Sequence, residues 1–369
     1  MPRGALISEA STRLLVPESH SVRGPGARTG PVFFNEQMAF NRDVSVMFLR
    51  AAPAGVSVAD AMSATGSRAV RIANEVPGSR VTANDISPES VEFIEENIRL
   101  NGLDNCSASN LDMHALFSGE SFEYVDLDPF GSPVPFIHSA IRGCRRKGIL
   151  AITATDTAPL AGAHAPKCRR RYQCEPLRGY MCHEGGLRIL MCNIARELAK
   201  FDRGMRPLLS FYADHYFRTY VRVEEGAEAA DRSLSSLAYA GMDGATLERS
   251  LSPEPDAGHR LGPVWAGPLH DPGHLSRMSP EGMAEPKRCA KMLDLWMGEL
   301  DSVFLYDMSE LSSHTKMSPP KLEDLIDLLG MHGRASKTHV CPTSFKTDLG
   351  AADVVSLYRE ASMRANGGR

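Results

Sequence analysis

Between residues 56 and 155, short apolar runs alternate with segments of helical period, and the runs end in acids or small polar residues. Runs at 56–62, 81–86, 107–111, 122–129 and 149–155 predict strands, and the segments between them predict helices. The clearest helix is capped by Ser87, opened by Pro88 and closed at Asn101-Gly102. A chain that alternates in this way covers both faces of a parallel sheet with helices, which sets the class as α/β. In such sheets ligands bind beyond the carboxyl ends of the strands.

Four of those strand ends carry candidate chemistry. The first, Ser63-Ala64-Thr65-Gly66-Ser67, is a turn of small residues opening a helix, and its backbone N–H groups can hold a carboxylate or a phosphate. The second is Asp85-Ile86, an acid about 20 residues beyond the glycine, placed to accept hydrogen bonds from both hydroxyls of a ribose. The third is Asp112-Met113. The fourth, Asp126-Leu127-Asp128-Pro129-Phe130-Gly131-Ser132-Pro133, sets a carboxylate beside an aromatic ring, so that one can take a hydrogen bond from a planar amine while the other stacks on its face. A strand followed by a Pro-rich turn with a capping Asp is the plainer reading of the same residues.

The first three ends suit a nucleoside cofactor. Dinucleotides need G-x-G-x-x-G so that the backbone can approach a pyrophosphate, but residues 63–68 hold one Gly. S-adenosylmethionine has no phosphate and asks only for room at that turn. The expectation is a Rossmann-like S-adenosylmethionine-dependent methyltransferase domain with its acceptor loop after the fourth strand.

Residues 1–30 mix Gly, Pro, Ser and Arg around Leu14-Leu15-Val16 and predict an N-terminal arm with little secondary structure. Residues 36–50 predict a helix in which Asn41-Arg42-Asp43 is a cap or a ligand clamp. Beyond the fifth strand and its Asp156 loop, Lys167, Arg169, Arg170, Arg171 and Arg178 are interleaved with Tyr172 and Tyr180, a pattern that serves phosphates and bases or a solvated charged face. A helix at 185–200 and strand material at 208–223, kinked at Asp214-His215, complete the sheet. The linker-like stretch 224–258 divides a 31–224 methyltransferase domain from a smaller α+β domain at 225–369, with helices at 286–300, 319–329 and 351–365 in a winged-helix-like outline.

The net charge of −4 leaves any nucleic-acid contact to local patches. Eight cysteines without a C-x-x-C pair read as reduced thiols. No window approaches the roughly 18 apolar residues of a membrane span. A cytoplasmic protein with no membrane attachment and no obligatory protein partner is expected.

Phe34-Asn35, Asn41-Arg42-Asp43, the stretch from Asp60 to Arg68, Asn84-Asp85-Ile86-Ser87, the Asp126 to Pro133 loop and Thr153-Ala154-Thr155-Asp156-Thr157-Ala158-Pro159-Leu160 follow one another in order. Cys182-His183-Glu184, Asp214-His215-Tyr216-Phe217-Arg218, the Trp265 segment and Thr338-His339 with Lys346-Thr347-Asp348 continue the series over nearly the whole chain. Taken together they resemble the tRNA guanine-26 dimethyltransferase family in its compact archaeal form. The Asp-Pro-Phe-Gly and Thr-Asp-Thr-Ala-Pro-Leu pieces are the most specific.

The resemblance implies transfer of one or two methyl groups from S-adenosylmethionine to the exocyclic 2-amino group of a guanine in tRNA. It makes Asp128, Pro129 and Phe130 the catalytic loop, with Asp128 on the amine and Phe130 stacked on the base. Arg42 and Arg68, beside Ser63 and Gly66, would hold the methionyl carboxylate or its neighbours; Asp85 with Ile86 the ribose; Asp112 with Met113 the adenine. Phe34, Asn35, Asp156, Lys167, Arg170 and Arg171 would face the tRNA, and Asp126 would support the loop from behind. Some relatives bind zinc through a cysteine cluster between domains, but residues 224–288 contain no Cys, and no metal is expected. Methylation of another exocyclic amine, on adenine or another guanine position in RNA or DNA, is the alternative use of this loop. A non-enzymatic RNA-binding module on a cofactor fold is a second, and an NAD-dependent enzyme, for which nicotinamide binding is expected to be absent, is a third.

Overall fold

The computed structural model describes residues 2–22, 24 and 30–367. The chain opens with a hairpin, β1 (Ala5–Glu9) and β2 (Thr12–Val16), and reaches α1 (Ala39–Arg50) through one 3-10 turn at Glu36–Met38. Strands and helices then alternate: β3 (Ser57–Asp60), α2 (Ser67–Glu75), β4 (Arg80–Asn84), α3 (Pro88–Leu100), β5 (Cys106–Ser109), α4 (Met113–Gly119), β6 (Phe122–Leu127), α5 (Val134–Gly143) and β7 (Cys144–Ala154). Helices α6 (Thr157–Leu160), α7 (Ala165–Tyr172) and α8 (Cys182–Ala199) lead to a second hairpin, β8 (Arg203–Ala213) and β9 (Tyr216–Glu225).

Seven of these strands form one sheet in the order β5-β4-β3-β6-β7-β9-β8. The first five are parallel, and the last hairpin adds two antiparallel strands. Between β3 and β6 the chain reverses its direction of travel across the sheet, the position at which such folds leave a crevice. Those two strands are paired with Asp60 opposite Asp126, so the loops that follow them share that crevice.

The period of two decides which side each β6 residue serves. Val125 and Leu127 point to the core under α4, α5 and α8, which includes Phe117, Ile141 and Leu190. Tyr124 points to the opposite core under α1 and α2, with Val44, Phe48 and Ile72, and Asp126 shares that face. A carboxylate is thus carried into an apolar layer.

The remainder comprises α9 (Ala227–Ser235), the three-stranded sheet of β10 (Leu237–Met242), β11 (Arg249–Ser252) and β12 (Leu261–Trp265), and α10 (Pro272–Leu275) with α11 (Pro286–Gly298). After these come β13 (Tyr306–Asp307), α12 (Met308–Thr315), α13 (Leu322–Gly330), β14 (Ala335–Lys337), β15 (Ser344–Thr347) and α14 (Ala351–Gly367). A separate core there gathers Leu311, Leu325, Leu329, Phe345, Val354 and Tyr358.

Four expectations are corrected. The N-terminal arm is a hairpin, because Leu14 and Val16 find apolar partners in Phe34 and Val70. Residues 208–223 belong to two strands, not one kinked strand: Asp214, at φ +49°, makes the turn at which the kink was expected. The linker-like 224–258 forms α9, β10 and β11, and α12 lies in a stretch where no helix was foreseen. Finally, Leu275, Met283, Leu293 and Trp296 join the core beneath α1, so the segment carrying α10 and α11 packs with the large sheet, although it lies beyond residue 225. Among the described residues no helix is long and apolar enough to cross a membrane.

Candidate active site

Two cavities, of about 130 and 370 Å³, open beyond the carboxyl ends of β3 and β6. They share Phe33, Met62, Ala64, Asp128, Pro129 and Phe130. The turn between β3 and α2 forms their common floor. Gly66 stands there at φ +75°, and a Cβ on it would lie 3.0 Å from Ile94 of α3, so the single glycine serves both the left-handed turn and the close helix contact.

The smaller cavity is lined by charge. Arg68, in the first turn of α2, is 7 % exposed and not the surface residue its position suggests. Its Nη1 donates to Asn41 Oδ1 and Ser45 Oγ, both at 2.7 Å, its Nε faces Asp126 Oδ1 at 3.5 Å, and its Nη2 donates to Asp128 Oδ2. Asp126 is fully buried and held by Arg218 of β9 through Nη2 at 2.5 Å and Nη1 at 3.0 Å. Burial works to raise the Asp126 carboxyl, but Arg218 and Arg68 outweigh it and keep it below the ordinary range. Asp60 also lines this cavity; burial, then the charges of Asp126 and Asp128, push it up to about 7 against the pull of Arg68.

Arg42 lines the same cavity but is already clamped. It donates to Glu9 of the hairpin through Nε at 2.8 Å and Nη2 at 2.5 Å, and to Asn35 O at 3.1 Å. Arg71 crosses behind it from Glu9 to Asp43, at 2.7 Å, and to Glu75, at 3.0 Å. This buried network is what the N-terminal hairpin contributes to the site.

The larger cavity is more apolar. Asp85 takes one backbone N–H on each carboxylate oxygen, from Ala64 at 2.8 Å and from Ser87 at 3.0 Å, and each oxygen keeps a lone pair for a ribose hydroxyl. Asp112 caps α4 by accepting from His114 N at 2.7 Å. Met113 is buried in the wall, whereas Ile86 and Leu111 stand exposed at the rim with Phe136 opposite. Acids at one end for hydroxyls, an apolar slot beside them and paired charges at the other end match the adenosine and amino-acid ends of S-adenosylmethionine.

The residues expected to face tRNA divide. Phe34 is 3 % exposed and packs under Arg42 with its ring 4.9 Å from the guanidinium, so it belongs to the core more than to a substrate surface. Its neighbour Phe33 takes the open position and meets Phe130 edge-on at 4.7 Å. Asn35 caps the 3-10 turn through Gln37 N at 3.0 Å and donates to Gly24 O at 3.1 Å, leaving its amide occupied. Asp156 holds Arg171 at 2.9 Å and Tyr172 Oη at 2.7 Å. Lys167 and Arg170 lie on α7, half-buried and exposed respectively. Phe130, 61 % exposed, is a large apolar side chain left in water at the mouth of both cavities.

The family model of N2,N2-dimethylguanosine tRNA methyltransferases matches residues 11–359. The chain belongs to this family. It is 38 % identical to the tRNA (guanine(26)-N(2))-dimethyltransferase of Pyrococcus abyssi over 93 % of this chain and 95 % of that one. It is 36 % identical to the Saccharolobus islandicus protein of the same name over 96 % and 98 %. A solved structure of Trm1 from Pyrococcus horikoshii in complex with S-adenosyl-L-methionine superposes with a TM-score of 0.88 at 36 % identity, over 96 % of this chain and 99 % of that one. The fold is therefore that of the S-adenosylmethionine-dependent family, and the cofactor S-adenosylmethionine is the family's.

Within this family site, sequence reading overlooked Asp60, Phe33, Leu111 and Phe136. Asp60 ends its strand as Asp85 does, and the same rule would have found it. Phe33 was hidden by the doublet: alternation sends one ring to the core and the other to the cavity. A further group, His270, Glu299 and His339, has metal-ligand atoms within 4.8 Å of one another. Glu299 there already accepts from Thr338 Oγ1 at 2.9 Å, His339 N at 3.1 Å, His339 Nδ1 at 2.5 Å and Lys346 Nζ at 2.8 Å. With four donors, one of them the Lys346 ammonium, this carboxylate is served without a metal ion.

Proposed function

We propose that this protein methylates the exocyclic 2-amino group of guanine 26 in tRNA, once or twice, using S-adenosylmethionine. The observation that carries the reading is Asp128 beside the exposed Phe130 ring, both set where the two cavities meet. S-adenosylmethionine supplies a methyl group on a positively charged sulfur. The guanine amine is a weak nucleophile because its lone pair is delocalised into the ring. Asp128 accepts one of its N–H groups, fixes its direction and receives the proton released when the N–C bond forms. Phe130 stacks on the base, which has to leave the tRNA stack to reach the loop. Held in line by these two residues, the amine gains mainly from orientation.

Arg68 and Arg42 receive the methionyl carboxylate, Asp85 the ribose, and Met113 with Ile86 and Leu111 the adenine. Lys167 and Arg170 meet tRNA phosphates, and the unit built on the third core, residues 306–361, grips the tRNA at a distance from the reacting base. The setting is cytoplasmic, where tRNA is the partner.

The test is mass spectrometry of tRNA after incubation with the protein and labelled S-adenosylmethionine. Label is expected as N2-methylguanine and N2,N2-dimethylguanine at position 26; label on adenine, or none on guanine, overturns the reading. Asp128→Ala is expected to abolish transfer and leave cofactor affinity within a few-fold. Loss of cofactor binding would move Asp128 into the cofactor site.

A further inference from the structure

Arg68 and Asp128 are both assigned work above, yet in this structure they are bonded to each other. The rest of the Arg68 guanidinium is fully engaged: both Nη1 hydrogens go to α1, at Asn41 and Ser45, and Nε faces Asp126. Asp126 is served chiefly by Arg218. Nη2 is thus the one arm of Arg68 turned to the cavity, and Asp128 is on it.

The two partners differ in freedom. Arg68 is pinned at the far end of its guanidinium and buried, while the Asp128 side chain is 19 % exposed and sits at the start of a loop whose Gly131 stands at φ +81°. If one of the pair turns, it is Asp128. A carboxylate neutralised by a guanidinium is also a weaker acceptor for a third group.

Resting on the function proposed above, the geometry points to a latch. Arg68 holds Asp128 away from the target amine, and the methionyl carboxylate, arriving on the same Nη2 edge, displaces Asp128 by competition and like-charge repulsion. Asp128 is then free to accept from guanine. The cofactor's carboxylate is in this way a part of guanine recognition, and guanine is captured well only after the cofactor is in place. The coupling is reciprocal: guanine holding Asp128 away from Arg68 strengthens the hold on the cofactor by the same factor.

The test measures tRNA affinity with no nucleoside, with saturating S-adenosylhomocysteine, and with methylthioadenosine, which keeps the adenosine and sulfur but has no carboxylate. Calorimetry with each nucleoside alone sets the saturating concentrations. S-adenosylhomocysteine is expected to tighten tRNA binding about tenfold, in the lower part of the usual range for coupled sites. Methylthioadenosine is expected to leave it within about twofold, and tRNA carrying inosine at position 26, which has no 2-amino group, is expected to show no tightening. In Asp128→Asn the S-adenosylhomocysteine effect is expected to vanish. Equal tightening by methylthioadenosine, or tightening retained in Asp128→Asn, overturns the latch. Because the same wild-type preparation is assayed for methyl transfer to guanine, transfer without coupling sinks the latch alone, whereas absence of transfer sinks the reading beneath it.

Discussion

Asp126, on β6, and Arg218, on β9, form an ion pair with neither side chain reaching solvent, 2.5 Å between Nη2 and Oδ2. The pair joins the parallel half of the sheet to its antiparallel edge and leaves Arg68 oriented above the active-site cavity. Removing one member leaves a buried charge without its partner, so Arg218→Met is expected to destabilise the fold by about 3–5 kcal/mol, read from the urea midpoint. The folded-state carboxyl of Asp126 is lowered, so its contribution is present above the unfolded value of about 3.9 and lost as pH falls below it. A midpoint shift that corresponds to less than about 1 kcal/mol would show that the pair is not what holds these strands.

Asp60 titrates in the opposite sense. With its carboxyl raised to about 7, the fold keeps a proton that the unfolded chain releases near pH 4, and this group's contribution to stability is lost as pH rises toward 7. For a ligand that brings an ammonium into the same cavity the sign reverses, because the charged carboxylate is the form that binds it. S-adenosylhomocysteine affinity is therefore expected to rise several-fold between pH 6 and 8 in calorimetry. In Asp60→Asn the profile should be flat; a slope that persists there would assign the pH dependence to another group.

Glu9 tests the hairpin. It is 5 % exposed and shared by Arg42 and Arg71. Burial works to raise its carboxyl, but the two arginines lower it overall, so it is charged at neutral pH. Glu9→Ala leaves Arg42 without its clamp, and with charge-assisted hydrogen bonds worth about 1.5–3 kcal/mol each, S-adenosylhomocysteine binding is expected to weaken roughly tenfold or more. Glu9→Asp should restore part of it. Unchanged cofactor affinity with a lowered melting temperature would make the hairpin purely structural.

What the sequence made legible was local. Asp85, Asp112 and Asp128 were readable because each follows an apolar run at a strand end, and the small-residue turn around Gly66 is a pattern of adjacent residues. The partners of Arg42 and Arg68 were not: Glu9 lies 33 residues from Arg42, and Asp128 lies 60 from Arg68. No local signal says whether an arginine early in a helix is solvated or buried, and both roles came from family resemblance. The hairpin β1–β2 and the strands β10 and β11 escaped for a related reason. These strands are four to six residues long, too short for a clear period, and their pairing is stabilised by what packs on them, Phe34 and Val70 in the first case.

The cluster of His270, Glu299 and His339 gives the last prediction, because two accounts of it diverge. Tyr212 N–H points to His339 Nε2 at 3.4 Å, which leaves the ring proton on Nδ1 for Glu299 and neither nitrogen for a cation. Dialysis against a chelator is accordingly expected to change neither the melting temperature nor methyl transfer. Among the described residues His270 finds no hydrogen-bond partner for either ring nitrogen, and burial, followed by the nearby His339, lowers it to about 3. The unfolded chain takes up a proton at this residue below about pH 6.5 and the fold does not, which costs about 2 kcal/mol of stability by pH 5. His274, lowered to about 4 by burial and Arg277, adds to the same slope. His270→Leu, which cannot be protonated, is expected to lose a measurable part of the difference in denaturation midpoint between pH 8 and pH 5. Stoichiometric metal in the purified protein, or a melting temperature that falls on chelation, would overturn the account built on committed hydrogen bonds.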